Sequence, residues 1–228
     1  MDFRGNLRQR RKAMRRSITM LAVAAIAAIV TGLFAPGAVA EETRIFIDGS
    51  TTVGPIAKAF AEYYMSLHPD VNVTVSESGS GNGAKGIINS TCDIANMSRP
   101  MKDKEFKAAV DKGVMPTAHV IAMDGIAVII HPSNPVSGLT VEQLRKIYTG
   151  EFTSWSDVGG PDTRIVKVSR DTNSGTYETF ESLVMNKEKM ATGTEYVNSN
   201  GGARQKVQTT QQAIAYVGMG FVDRTVKG

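Results

Sequence analysis

Cysteine is nearly absent. Cys92 is the only one in 228 residues, so no intramolecular disulfide can form. It lies in Thr91-Cys92-Asp93-Ile94-Ala95, which reads as a strand and predicts a buried, inert thiol. Histidine is almost as scarce: His68, His119 and His131 are scattered without metal-ligand spacing, so nothing points to a metal or any other cofactor. A phosphate-loop nucleotidase needs G-K-[ST], yet Lys85 is followed by Gly86, and no G-x-S-x-G nucleophile elbow occurs. Gly79-Ser80-Gly81-Asn82-Gly83-Ala84 matches the dinucleotide pattern G-x-G-x-x-[GA], but no placed acid for a ribose accompanies it. Asp93 and Asp171 are not set beside a histidine, which argues against a hydrolase.

A basic surface is missing as well, although 26 Lys/Arg against 22 Asp/Glu suggest otherwise. Seven of those basic residues and one acid lie in the first 40 positions, leaving 19 against 21 in the remainder. That balance gives no sign of a nucleic-acid-binding surface. The first 40 residues read as a secretory signal peptide: Arg8 to Arg16 is basic, Ile18 to Val30 is apolar, and Ala38-Val39-Ala40 supplies a cleavage pattern before Glu41. A retained anchor competes, but this apolar stretch is short of the roughly 20 residues of a membrane span.

What remains alternates strands and helices. Arg44 to Ile47 predicts a strand, and Ile56, Phe60, Tyr63, Tyr64 and Leu67 recur at helical spacing up to His68-Pro69-Asp70. Val71, Val73 and Val75 mark a second strand, Ala84 to Asn89 a helix, and Cys92 to Asn96 a third strand. Lys102 to Lys112 is a surface helix with Phe106 and Val110 expected inward. Thr117 to Met123 and Ile126 to Ile130 read as buried strands. After His131-Pro132-Ser133-Asn134-Pro135, Thr140 and Gln143 form a capping box and Gly150 a helix stop. Ile165 to Val168 predicts a strand, Tyr177 to Val184 a helix, Ala203 to Thr209 another helix and Ala213 to Val217 a last strand. Such alternation argues an α/β fold with largely parallel sheets.

Three turns share one design, a strand end, small hydroxyl residues and a helix start: Asp48 to Thr52, Ser76 to Gly83, and Arg170 to Thr176. Helix starts carry unpaired N–H groups and partial positive charge, which suits an anion. If the turns converge, Ser50, Thr51, Thr52, Ser80, Asn82, Ser174, Gly175 and Thr176 make a cage of neutral donors, with Arg170 adding a full charge. Such terms approach the about 8 kcal/mol of micromolar binding only if water is excluded, which points to closure between two lobes.

These residues resemble the PstS family, the periplasmic phosphate-binding proteins of the phosphate ABC transporter, which are type II substrate-binding proteins. Three blocks carry the likeness: Asp48 to Pro55, Gly79 to Lys85, and Leu139 to Trp155 leading to Arg170 through Phe180. The resemblance implies a two-lobed α/β protein, each lobe a mostly parallel sheet flanked by helices. Residues 41–131 would form the first lobe, 132–220 the second, and 221–228 the start of a return to the first. It implies inorganic phosphate bound by Ser50, Thr51, Thr52, Ser80, Arg170, Ser174, Gly175 and Thr176, and no chemistry. Asp171 would either hold Arg170 in place or serve as an ordinary turn aspartate.

Two departures stand out. Some family members carry, at the position of Ser98, an aspartate that accepts the ligand's proton; here Ser98 with Arg99 as a second cation resembles a shorter branch. The chain also stops at Lys227-Gly228, where the family usually continues for some tens of residues, so part of the first lobe is expected to be missing. The expected protein is periplasmic and monomeric, captures inorganic phosphate, hands it to an inner-membrane ABC permease, and binds no nucleic acid. Another tetrahedral oxyanion, sulfate or molybdate, is the alternative ligand, and a secreted phosphate-ester hydrolase the alternative class.

Overall fold

The computed structural model describes residues 43–228. The chain builds two sheets. In the first, β1 (Thr43–Gly49) lies between β2 (Val71–Val75) and β3 (Ile94–Asn96), parallel to both. Helix α1 (Gly54–Leu67) connects β1 to β2, α2 (Ser80–Ile88) connects β2 to β3, and α3 (Asp103–Asp111) follows. The second sheet has the order β4 (Ile126–Ile130), β7 (Ala213–Gly218), β5 (Val166–Arg170), β6 (Glu195–Val197). Here β5 runs parallel to β6 and β7, and β4 runs antiparallel to β7. Its helices are α4 (Val141–Thr149), α5 (Gly175–Leu183) and α6 (Asn200–Thr209). This is the expected α/β fold with predominantly parallel sheets flanked by helices.

The core sits around the second sheet. Every residue of β7 is buried, as a central strand covered on both faces requires. On one face Tyr148 of α4, Trp155, Phe180 of α5 and Tyr216 of β7 pack together, with the Phe180 and Tyr216 rings stacked at 3.9 Å and Tyr148 edge-on to Phe180 at 5.0 Å. On the other, Ala203 and Val207 of α6 close over Val168, Ala213, Ala215 and Val217. The capping box at Thr140 forms as the sequence predicts, its hydroxyl accepting from Gln143 N, and Gly150 ends α4 at φ 88°.

The first sheet departs from expectation in its burial. Helix α1 turns Gly54, Ala57 and Ala61 inward, while Phe60 and Tyr63 are 58% and 68% exposed. The large residues keep a helical period, but they mark the face away from the sheet. Phe106 and Val110 of α3 are likewise exposed, and Ala109 is the buried residue. Thr117 to Met123 forms no strand and pairs with neither sheet; Val120 and Met123 are 81% and 91% exposed. Cys92 lies just before β3 rather than in a strand, buried as expected, and burial pushes its thiol pKa up, aided by Asp48 and Asp93.

Strand β4 pairs with β7 and so lies in the second sheet. Residues near 227 bridge β4: Lys227 N donates to Ile130 O and Ile130 N to Lys227 O. The predicted signal peptide, 1–40, lies outside the described residues. Among those described, no helix is long and apolar enough to cross a membrane.

Candidate anion site at the strand ends

The three hydroxyl-rich turns meet. At the end of β1, Gly49 adopts φ 138°, and a Cβ there would stand 2.1 Å from Asn96 O, so only glycine lets β1 and β3 approach this closely. The chain then turns through Ser50, whose N–H donates to Asn96 O at 2.8 Å and whose Oγ accepts from Thr52 N at 3.1 Å. At the second turn, Gly79 has φ 101°, and its N–H donates to Gly49 O. Ser80 follows at the start of α2, fully buried. Its Oγ accepts from Ser98 N at 3.1 Å and lies 3.2 Å from Ser98 Oγ.

The third turn joins the other two from the second sheet. Gly81 N donates to Asn173 O at 2.9 Å. Ser174 caps α5, its Oγ accepting from Tyr177 N at 3.2 Å. Next to it, a Cβ on Gly175 would lie 2.5 Å from Ser98 Oγ and 2.6 Å from Ser80 Oγ, so the N-terminal turn of α5 presses directly on those two hydroxyls. Thr176 Oγ1 lies 3.1 Å from Thr52 Oγ1. As the first residues of α5, Gly175 and Thr176 carry N–H groups with no partner inside the helix.

Arg170 ends β5 and is buried. Its Nη1 donates to Asn200 Oδ1 at 2.8 Å, and its Nη2 donates to Thr51 Oγ1 at 3.0 Å and to Asn198 O at 3.2 Å. Nε is buried without a protein partner. Burial lowers the guanidinium pKa, opposed by the charge of Asp171 and by Tyr216. A buried cation short of one acceptor and without a carboxylate hydrogen-bonded to it is poised for an anion. Asp171 does not hold it: the Asp171 carboxylate accepts from Asn173 N at 2.8 Å, the role of an ordinary turn aspartate.

Thr51, Thr52, Ser80, Ser98, Arg170, Gly175 and Thr176 therefore come together. The hydroxyl oxygens of Ser50 and Ser174 are turned onto their own helix starts, and Asn82 Nδ2 donates back to Ser78 O. Arg99 is not a second free cation. Its Nη1 and Nη2 donate to the two oxygens of Glu105 at 2.8 and 2.9 Å, and its Nε stands 2.9 Å from Glu178 Oε2 on α5. Burial works to lower the Arg99 pKa, but those two carboxylates more than offset it and leave the pKa raised. Planar two-point pairing with a carboxylate explains why this arginine turns from the hydroxyls. Asn200, absent from the sequence-based set, contacts both sides of the site. Its only sequence signal was the cap-like Ser199-Asn200-Gly201 before a helix, which says nothing of what its side chain reaches.

Among the described residues no group of three or more His, Cys, Asp or Glu is placed to hold a metal ion. A cluster of hydroxyl, guanidinium and helix-start donors can bind a tetrahedral oxyanion through its oxygens.

Comparison with known proteins places the chain. The model of the PBP superfamily domain matches residues 36–227. A phosphate-binding protein PstS of Staphylococcus saprophyticus is 37% identical over 183 residues, 78% of this chain and 56% of that protein. The PstS of Borreliella burgdorferi is 32% identical over 82% of this chain and 67% of its own length. Among solved structures, a phosphate ABC transporter substrate-binding protein from Clostridium perfringens with bound phosphate superimposes with a TM-score of 0.76 at 36% identity, covering 82% of this chain and 74% of that one. The chain belongs to the PBP superfamily and, within it, to the PstS family. It spans little more than half the length of several of the curated relatives it matches.

Proposed function

We propose that this protein captures inorganic phosphate between its two sheet-bearing halves and delivers it to an ABC permease of the inner membrane. The observation that carries the reading is the buried Arg170, set among Thr51, Thr52, Ser80, Ser98 and Thr176 and the N-terminal turn of α5, with its own hydrogen bonds going to neutral oxygens. In this reading Arg170 supplies the charge, the hydroxyls and the Gly175 and Thr176 N–H groups supply neutral donors, and Ser50 and Ser174 shape the turns that present them. The protein binds and releases its ligand without chemistry. It works outside the cytoplasm as a monomer, after cleavage of the leader near Ala40, and the two halves act as lobes that part to admit the anion.

Ser98, where some relatives have an acid, favours a second ligand reading. Without a carboxylate to accept the proton of a protonated phosphate, a fully deprotonated anion such as sulfate meets no unpaired acceptor. Isothermal titration with phosphate, sulfate and molybdate tests both readings. Micromolar phosphate binding in preference to the others is expected; sulfate outcompeting phosphate selects the second reading, and no heat with any oxyanion in folded protein overturns the function.

A further inference from the structure

Asn200 is fully buried at the first turn of α6, and its amide uses all four of its hydrogen-bonding positions. Nδ2 donates to Thr52 Oγ1 at 2.9 Å and to Thr51 Oγ1 at 3.2 Å. Oδ1 accepts from Arg170 Nη1 at 2.8 Å and from Gly218 N at 3.2 Å. A guanidinium and a backbone N–H can only donate, so the amide has one orientation: its oxygen must face those two and its NH2 the threonines.

That orientation has a consequence for Thr51. Its Oγ1 accepts from Asn200 Nδ2 and from Arg170 Nη2, which fills both lone pairs. The hydroxyl proton is then its one remaining capacity, and Thr51 can act toward a ligand only as a donor. Thr52 Oγ1 accepts from the same amide and lies beside Thr176 Oγ1.

We infer that Asn200 is a positioning residue that fixes the hydrogen-bond polarity of the anion site, turning Thr51 into an obligatory donor and aiming Arg170, so that the site prefers the more fully deprotonated oxyanion. This rests on the oxyanion reading given above. It assigns part of the selectivity to an amide behind the ligand-facing shell. Neutral Asn at this position suits the role, since a carboxylate there would still accept from Arg170 and Gly218 but would draw the threonine protons toward itself and away from the ligand.

The test compares the wild-type protein with Asn200→Asp, with phosphate and sulfate affinities measured by titration calorimetry across the second ionisation of phosphate. Wild-type affinity for phosphate is expected to rise as the anion loses its second proton. In Asn200→Asp that trend should flatten or reverse, with phosphate weakened by about tenfold to a hundredfold and sulfate by more. Arg170, Tyr216, Asp171 and Asp124 lie nearby and are present in both proteins, so the comparison of the two profiles isolates the change made at position 200. Uniform weakening with an unchanged pH trend and phosphate-to-sulfate ratio would make Asn200 a structural tie only and overturn the assignment. If Asn200→Asp does not fold, Thr51→Val serves, keeping the shape and deleting the donor. It should lose about tenfold for both anions, and wild-type affinity in that variant would overturn the proposal. Failure of the wild-type protein to bind either anion would overturn the oxyanion reading itself, and this inference with it.

Discussion

The two halves of this molecule bury their apolar residues differently. Around the second sheet, Trp155, Tyr148, Phe180 and Tyr216 are sealed into an aromatic core. Around the first, most residues that go inside are small, Ala57, Ala61, Ala84 and Ala109 with Ile47 the one large aliphatic among them, while Phe60, Tyr63, Leu67 and Val120 face outward. Hydrophobic stabilisation scales with area removed from water, so the second half should hold most of the stability among the described residues. The first half contributes two of the three turns of the candidate site, held to the second by polar contacts: Thr51 with Arg170, Thr52 with Thr176, Gly81 with Asn173, and Glu178 with Arg99 and Lys102. One half is a packed platform and the other joins it through hydrogen bonds and charge. In the proposed function, ligand capture would draw on the weaker of these connections, as elements that move commonly do.

The contrast can be broken first at its strongest point. Phe180→Ala should cost about 3–5 kcal/mol of stability in denaturant titration, because it opens a cavity against the stacked Tyr216 ring. A loss below about 1 kcal/mol would mean that the second half is not the platform. Next, Arg170→Ala should weaken phosphate binding by about 1.5–3 kcal/mol, roughly tenfold to a hundredfold, by calorimetry. Wild-type affinity in that variant would remove Arg170 from the site.

The junction itself comes third. Glu178 reaches from α5 to Arg99 at 2.9 Å and Lys102 at 2.7 Å. Glu178→Gln should speed phosphate release by about fivefold, near 1 kcal/mol, with association little changed in stopped-flow measurements. An unaltered release rate would deny these ion pairs any part in holding the halves together. Smaller still is the effect of acid. Burial alone would raise the Glu105 pKa, but the Arg99 hydrogen bond, the Lys102 N–H and both charges lower it below the ordinary value of 4.5. Its stabilisation is thus fully present above that value and fades as pH falls through the lowered folded one. Melting curves should show Glu105→Gln destabilised at neutral pH, with the gap to wild type closing in acid; a gap that persists there would assign the loss to packing. Last, Phe60→Ala should shift stability by no more than about 0.5 kcal/mol. A drop comparable to that of Phe180→Ala would show that something covers this face of α1 in solution.

Much of the fold was legible because its signals are local. Thr140, Gln143 and Gly150 mark the ends of α4 by their own chemistry, and the valines of β2 alternate as a strand must. Periodicity failed where it had to choose a face. In α1 the large residues and the small ones both recur at helical spacing, and the pattern alone cannot say which row meets the sheet. Thr117 to Met123 has a strand's composition, but a strand exists only beside a partner. In the site, the turn residues were readable from strand-to-helix order, whereas the orientation of each side chain was not. Arg99 looked like a free cation because Glu178, 79 positions away, is invisible as its neighbour in the sequence.

By itself, the sequence determined the alternation of strands and helices, the three helix starts that offer N–H groups and hydroxyls, and the arginine that follows β5's apolar run. Each depends on backbone chemistry within a few residues. Tertiary structure alone decided that Arg170 is aimed by Asn200, that Thr51 is left as a donor, that Arg99 serves a junction between the halves, and that β4 belongs to the second sheet. Those outcomes depend on which lone pairs and charges are already taken by groups brought from distant positions, and that accounting exists only once the chain has folded.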